Sequence, residues 1–131
     1  MRILIVEDDP TSRKFMQKFL ARYGECDIAV DGVETIDMFF SAFKENKPYD
    51  MICLDIMMPK VDGIKALKTI RNLEKQNGVK DEERVKVIMT TALNDKKTVM
   101  ESYDAGCEAY AWKPIDVEKF VEVMRKLKLI E

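Results

Sequence analysis

The sequence predicts an α/β protein built on a parallel sheet with helices on both faces, and three observations predict it. Five short, mainly apolar runs, the first of them continuous from Ile3 to Val6, alternate with five amphipathic stretches along 131 residues; the first pattern suits buried strands, the second helices that bury one stripe. Strict alternation requires each strand to return through a right-handed crossover, and such crossovers place helices on either side of the sheet. Four of the apolar runs also end at residues of related chemistry: Glu7-Asp8-Asp9, Asp55, Thr91 and Lys113. In an open parallel sheet the carboxyl ends of the strands line one crevice, so these groups can meet despite their separation in sequence.

Each element has a local reason. Ile3 to Val6 is the first strand. Pro10-Thr11-Ser12 opens a helix to about Arg22, with Phe15, Met16, Phe19, Leu20 and Tyr23 at helical spacing and Gly24 as its stop. A second strand, Cys26 to Val30, leads past Asp31-Gly32 into a helix carrying Val33, Ile36, Phe39, Phe40 and Phe43, and Pro48 ends that segment. Tyr49 to Leu54 is the third strand; after the loop from Asp55 to Gly63 follows a helix with Ile64, Leu67, Ile70 and Leu73. Residues 75–84 are almost all polar and read as a solvated loop or helix extension, with no function assigned. Val85 to Thr90 is the fourth strand, Asn94 the N-cap of a helix to Ala105, and Gly106 its stop. Glu108 to Trp112 is the fifth strand. Ile115 to Lys128 closes the chain as an amphipathic helix with Val117, Phe120, Val121, Met124 and Leu127 facing inward.

Composition narrows the function. The length suits one domain, and a net charge of -2 offers no attraction to nucleic acid or an anionic membrane. Cys26, Cys53 and Cys107 are odd in number and lack C-x-x-C spacing, which favours buried reduced thiols over disulfides or a zinc site. No apolar stretch approaches the ~20 residues of a membrane span, and no signal peptide precedes the first strand, so the expected location is the cytoplasm. The chain has no histidine, which excludes an imidazole base, ligand or phosphocarrier within it.

Taken singly, the strand-end residues are unremarkable: aspartate favours turns, threonine favours strands, and lysine snorkels. Three acids in a row are harder to dismiss. Carboxylates crowded at one strand end repel one another unless a cation neutralises them, and all-oxygen ligands point to Mg²⁺ or a similar hard ion. Acids, a nucleophilic Asp55, the Thr91 hydroxyl and the Lys113 ammonium supply the parts of an aspartyl-phosphate site.

At this point the motif set Val6-Glu7-Asp8, Leu54-Asp55, Met58-Pro59, Asp62-Gly63, Thr91-Ala92 and Lys113-Pro114 resembles that of the response-regulator receiver domain, from Met1 to the last helix. The resemblance implies a flavodoxin-like doubly wound fold with five parallel strands in the order 2-1-3-4-5. It further implies Asp55 as phosphoacceptor, Asp8 as a direct Mg²⁺ ligand, Glu7 as a ligand through water and the Met57 carbonyl as a third protein ligand. Thr91 would bond a phosphoryl oxygen, Lys113 would pair with the phosphate, and Tyr110 is the switch aromatic. Met57 and Leu93 occupy the positions that tune dephosphorylation; neither orients water strongly, so a long-lived phosphorylated state is expected. Glu7 departs from the usual aspartate, which leaves Glu7/Asp8 and Asp8/Asp9 both open as the acidic pair. The 75–84 segment is longer than in short receivers.

The implied role is a stand-alone receiver that takes its phosphoryl group from a histidine kinase or histidine phosphotransfer protein and acts by binding a downstream protein, without nucleic acid or membrane. Helix one offers Lys14, Gln17, Lys18 and Ala21 outward for the donor. The helix-four, strand-five and helix-five face, with Tyr110 and Trp112, offers the output surface. A haloacid-dehalogenase-type phosphohydrolase also uses a strand-end Asp with Mg²⁺, but it needs an acid two residues on, where this chain has Met57. A flavodoxin-like electron carrier would need a phosphate loop where this chain has acids.

Overall fold

The computed structural model describes residues 1–92 and 95–131; Leu93 and Asn94, given a tuning role and a helix cap above, lie outside the described residues. Five strands, β1 (Arg2–Val6), β2 (Glu25–Ala29), β3 (Met51–Asp55), β4 (Lys86–Thr91) and β5 (Ala109–Trp112), form one sheet. Its order is β2-β1-β3-β4-β5 and every pairing is parallel. The expected topology is therefore present. The connections are α1 (Pro10–Leu20), α2 (Gly32–Lys44), α3 (Gly63–Gln76), α4 (Lys96–Ala105) and the closing α5 (Val117–Lys126).

Alternation along β1 and β3 sends Leu4, Ile52 and Leu54 to one side and Ile3, Met51 and Cys53 to the other. The first side packs on Phe39 of α2, on Leu67 and Ile70 of α3, and on Ala105 of α4. The second packs on α1 and α5, whose Phe19 and Phe120 rings meet edge to face at 5.6 Å. Among the described residues no helix is long and apolar enough to cross a membrane.

Every one of the five helices begins on an aspartate whose carboxylate accepts from the backbone N–H three residues on: Asp9, Asp31, Asp62, Asp95 and Asp116. Each such cap stabilises its helix by about 1 kcal/mol. Asp95 caps α4, and Gly106 ends it in the left-handed conformation, at φ 107°, that its lack of a Cβ permits.

Several inward assignments need correction. In α1 the core takes Met16, Phe19 and Leu20, whereas Phe15 is 45% exposed, because it sits one side of the stripe that meets the sheet. That helix stops at Leu20, short of Gly24; a Cβ on Gly24 would collide with the Met1 carbonyl, so close approach explains this glycine. In α2 the buried stripe is Thr35, Phe39 and Ala42. α5 starts only at Val117, after the Asp116 cap, and Val117 is exposed. All three cysteines are free, with Cys26 only half-buried.

The polar segment also does more than expected. Arg71 of α3 donates to Glu74 (2.6 Å), to Glu108 (2.6 Å) and to the carbonyls of Val85 (2.9 Å) and Gly106 (2.9 Å). Arg84, from the end of the segment read as solvated, adds a second cation on Glu108 at 3.2 Å. Glu74 and Glu108 in turn accept from the Val85 and Val87 N–H groups. The network ties α3, the 75–84 segment and the entrances of β4 and β5 together. Arg71→Met would leave two carboxylates short of their shared cation in a poorly solvated site, and should lower the unfolding free energy by about 3–5 kcal/mol. Urea denaturation at unchanged slope reads this directly; a loss below ~1 kcal/mol would show that the carboxylates find other partners.

Candidate functional site

The parallel register brings the chemistry to one edge. β1, β3 and β4 lie side by side, so Glu7 just past β1, Asp55 at the end of β3 and Thr91 at the end of β4 share the carboxyl rim. Lys113 follows β5, and its backbone N–H donates to the Thr91 carbonyl at 2.8 Å. Its side chain reaches across the rim: Nζ lies 2.6 Å from Glu7 Oε2 and 3.3 Å from Asp55 Oδ2. Oxygens of Glu7, Asp8 and Asp55 all lie within 4.8 Å of one another.

Burial sets the electrostatics. Glu7 is 2% exposed and Asp55 4%, while Asp8 faces solvent. Burial and the neighbouring Glu7 charge push the Asp55 carboxyl up to about 6, against the pull of Lys113 and of the Met57 N–H. Burial works against the Lys113 ammonium, but its hydrogen bond to Glu7 and the Asp55 charge outweigh this and hold its pKa above the ordinary value. Asp55 Oδ1 accepts from the Met57 N–H at 3.2 Å, and Glu7 Oε1 from the Asp9 N–H at 3.2 Å.

The structure separates the two possible acidic pairs. Asp9 turns to its capping bond with Ser12 at 2.9 Å, so Glu7 and Asp8 stand with Asp55. Asp9 had a pattern that could have been read, since Asp followed by Pro at the first helical position is a capping signature. Thr91 is fully buried at the rim. Met57 is exposed beside Asp55, and Tyr110 is half-buried with its ring 5.6 Å from that of Trp112. Trp112 itself is 53% exposed.

Contributions that residue type alone did not announce come from Arg13, whose guanidinium donates to the Glu7 carbonyl at 3.3 Å, and from two glycines. A Cβ on Gly63 would strike the Asp55 carbonyl, and one on Gly32 would strike Val61. The loop between Asp55 and Gly63 is thus clasped against both the end of β3 and the turn before α2. Beside the acids, Phe15, Thr11, Thr90 and Ile115 wall a cleft of about 290 Å³.

A doubly wound parallel sheet with clustered acids, a strand-end aspartate and a reaching lysine at its carboxyl rim defines the class of receiver proteins. Within it, the chain belongs to the response regulator receiver domain family, whose model matches residues 3–125. It is 30% identical over 134 residues to a probable histidine kinase 2 of Oryza sativa subsp. indica, covering 95% of this chain and 12% of that protein. The receiver-like matches also include the response regulator MprA of Mycobacterium avium, 31% identical, of which the chain spans half. Among solved structures it resembles a chain of the CheX-CheY-BeF3-Mg complex from Borrelia burgdorferi, at TM-score 0.84 and 26% identity over 100% of this chain and 90% of that one. It is likewise similar to a chain of the Saccharomyces cerevisiae Ypd1 and Ssk1 receiver-domain complex, at TM-score 0.83 and 25% identity over 99% and 92%. Family membership decides against the dehalogenase-type and electron-carrier readings.

The raised Asp55 pKa carries a stability consequence. Its folded value of about 6 lies above the ordinary 3.8, so the ionised carboxylate disfavours folding at neutral pH, and the penalty fades as pH falls from ~6 toward ~4. In metal-free buffer Asp55→Asn should therefore be more stable than the parent at neutral pH, with the difference shrinking at acid pH. Urea denaturation in chelator at the two pH values tests this; equal stabilities at neutral pH would show that Lys113 already offsets the burial.

Proposed function

We propose that residues 1–131 act as one receiver unit in which Asp55 accepts a phosphoryl group from a phosphohistidine on a histidine kinase or histidine phosphotransfer protein. The observation that carries this is the Lys113 ammonium between Glu7 and Asp55, at 2.6 and 3.3 Å. One cation shared by crowded carboxylates is the arrangement an incoming phosphoryl dianion needs. The setting is the cytoplasm, where thiols such as Cys26 stay reduced.

With its pKa near 6, Asp55 is mostly ionised at neutral pH and able to attack. Its oxygen forms the new bond to phosphorus as the donor's N–P bond breaks, the electron pair leaving with the imidazole nitrogen, which then takes a proton from solvent. Lys113 balances charge on the phosphoryl oxygens, and the Thr91 hydroxyl donates to one of them. Oxygens within 4.8 Å of one another from Glu7, Asp8 and Asp55 fit a hard divalent cation: Asp8, Asp55 and the Met57 carbonyl would hold Mg²⁺, with Glu7 acting through water. Bound there, Mg²⁺ supplies neutralisation of the phosphoryl charge. The unit signals by phosphorylation and is not a catalyst acting on a separate substrate; self-phosphorylation from small donors is part of the proposal. So is slow loss of the phosphoryl group, because Met57 next to the site cannot orient a water strongly.

Incubated with Mg²⁺ and a small phosphodonor such as acetyl phosphate, the parent should gain one phosphoryl group by intact mass, and Asp55→Asn should gain none. Equal labelling of the variant, or full labelling in excess chelator, would sink the assignment.

The output surface we place on α4, β5 and α5. Phosphorylation adds nearly two negative charges at the rim, drawing the Thr91 hydroxyl inward and letting Tyr110 repack beneath the start of α4. Trp112 lies against Tyr110 and should report the change. Its emission should shift on adding beryllofluoride with Mg²⁺, and Thr91→Ala should blunt the shift. A silent Trp112 together with unchanged amide shifts across β5 by NMR would remove this surface as the switch.

A further inference from the structure

The cleft beside the acids is built for an uncharged, mainly apolar group. Side chains alternate along β4, so Ile88 and Thr90 project toward α1 and α5 while Met89 turns to the opposite core. Thr90 is 3% exposed, and its hydroxyl makes no hydrogen bond among the described residues. None of the buried polar side-chain atoms described is both sealed from solvent and unpartnered, so this hydroxyl opens on the cleft that Thr90 lines.

Phe15, Met16, Pro114 and Ile115 supply the apolar wall. The Phe15 ring lies 6.4 Å from that of Phe19 but stays outside the core cluster that Phe19 joins, so it borders the cleft from the α1 side. Two charged residues reach this space, Glu7 and Lys113, and they are paired with each other at 2.6 Å. A charged occupant would find no free partner inside. At the mouth the same Lys113 ammonium lies 3.3 Å from Asp55, which sets the apolar space one side chain away from that carboxylate.

We propose that this cleft selects among small phosphodonors by seating the acyl group of an acyl phosphate whose acyl chain is aromatic. The acyl carbonyl accepts from the Thr90 hydroxyl, the ring packs on Phe15, Met16 and Ile115, and the phosphoryl end stays at the rim. The inference rests on Asp55 being the phosphoacceptor. Volume agrees with it: an apolar cavity of about 150 Å³ takes up benzene, and the cleft offers about 290 Å³, most of which an acetyl group would leave unfilled. In the transfer an Asp55 oxygen forms its bond to phosphorus as the bond from phosphorus to the acyl oxygen breaks. The electron pair leaves on that oxygen as a carboxylate, so no proton has to move. The new anion is poorly held in an apolar, charge-neutral cleft, which favours its release.

Intact mass of the full chain with Mg²⁺ and limiting donor compares benzoyl phosphate with acetyl phosphate. Benzoyl phosphate should label Asp55 about tenfold faster, the low end of what an apolar pocket achieves between substrates. Phe15→Ala removes part of the wall and Thr90→Val drops the hydroxyl, and each should cut that ratio severalfold; a ratio set by the donors' own reactivity would survive both. A non-transferable pair reads the cleft without any transfer. Benzylphosphonate should move the NMR shifts of Met16, Thr90 and Ile115, and methylphosphonate should not. No labelling by either donor would remove the phosphoacceptor reading and this proposal together. Equal labelling by the two donors, a ratio unchanged in Phe15→Ala, or benzylphosphonate shifts confined to the rim would overturn the acyl cleft while leaving Asp55 as phosphoacceptor.

Discussion

Like charge brought together at the carboxyl rim is the constraint on which the site depends. Glu7 and Asp55 are carried there by buried strands and cannot retreat into water; Asp8 adds a third carboxylate at the solvent edge. The Lys113 ammonium, delivered from the far strand β5, is the cation that bridges the two buried ones. A raised Asp55 pKa records that this one cation does not fully offset burial and repulsion. The rim is therefore under electrostatic tension, and an added cation or a change in Lys113 can act on it. Stability given up at such a place is typical of sites poised to react.

The rest of the fold keeps that rim in register. Each helix starts on its own aspartate cap, so Asp9 is committed to α1 and withdrawn from the acid cluster. Glycines carry the close approaches: Gly63 lets the loop after Asp55 fold back on the Asp55 carbonyl, and Gly32 lets the turn before α2 seat against Val61. In both places a side chain would push the loop off the site. At the opposite end of the sheet Arg71 holds the Gly106 carbonyl, where α4 ends, through two of its N–H groups. α4 is thus anchored at its C-terminal end, away from the rim, while its N-terminal end lies toward Thr91.

The two sheet edges expose different surfaces. On the β5 side, Trp112 and Tyr110 continue the strand that delivers Lys113, so a change in charge at the rim has a short route to an exposed aromatic face. On the β2 side, α2 shows an apolar flank with no such connection. Only one short strand separates the acid-rich rim from the first surface; the width of the sheet separates it from the second.

Much was legible in the residues themselves. Five mainly apolar runs and five periodic stretches determine the count and alternation of elements, and Asp55, Thr91 and Lys113 at run ends determine which groups reach the rim, because both follow from local pattern and chain direction. Periodicity says which residues share a helix face but not the angle at which that face meets the sheet. That is why Phe15 turned out to wall the cleft, and why in α2 the core took Thr35 and Ala42. Long-range partners were equally invisible: Arg84 belongs with Glu108, 24 residues away, though its neighbourhood reads as solvent-facing. Sequence by itself determined the fold class and the inventory of the site. Only the tertiary structure decided that Glu7 rather than Asp9 joins Asp8 and Asp55, since that choice depends on which carboxylate the start of α1 draws into its cap and which the ammonium from β5 can reach.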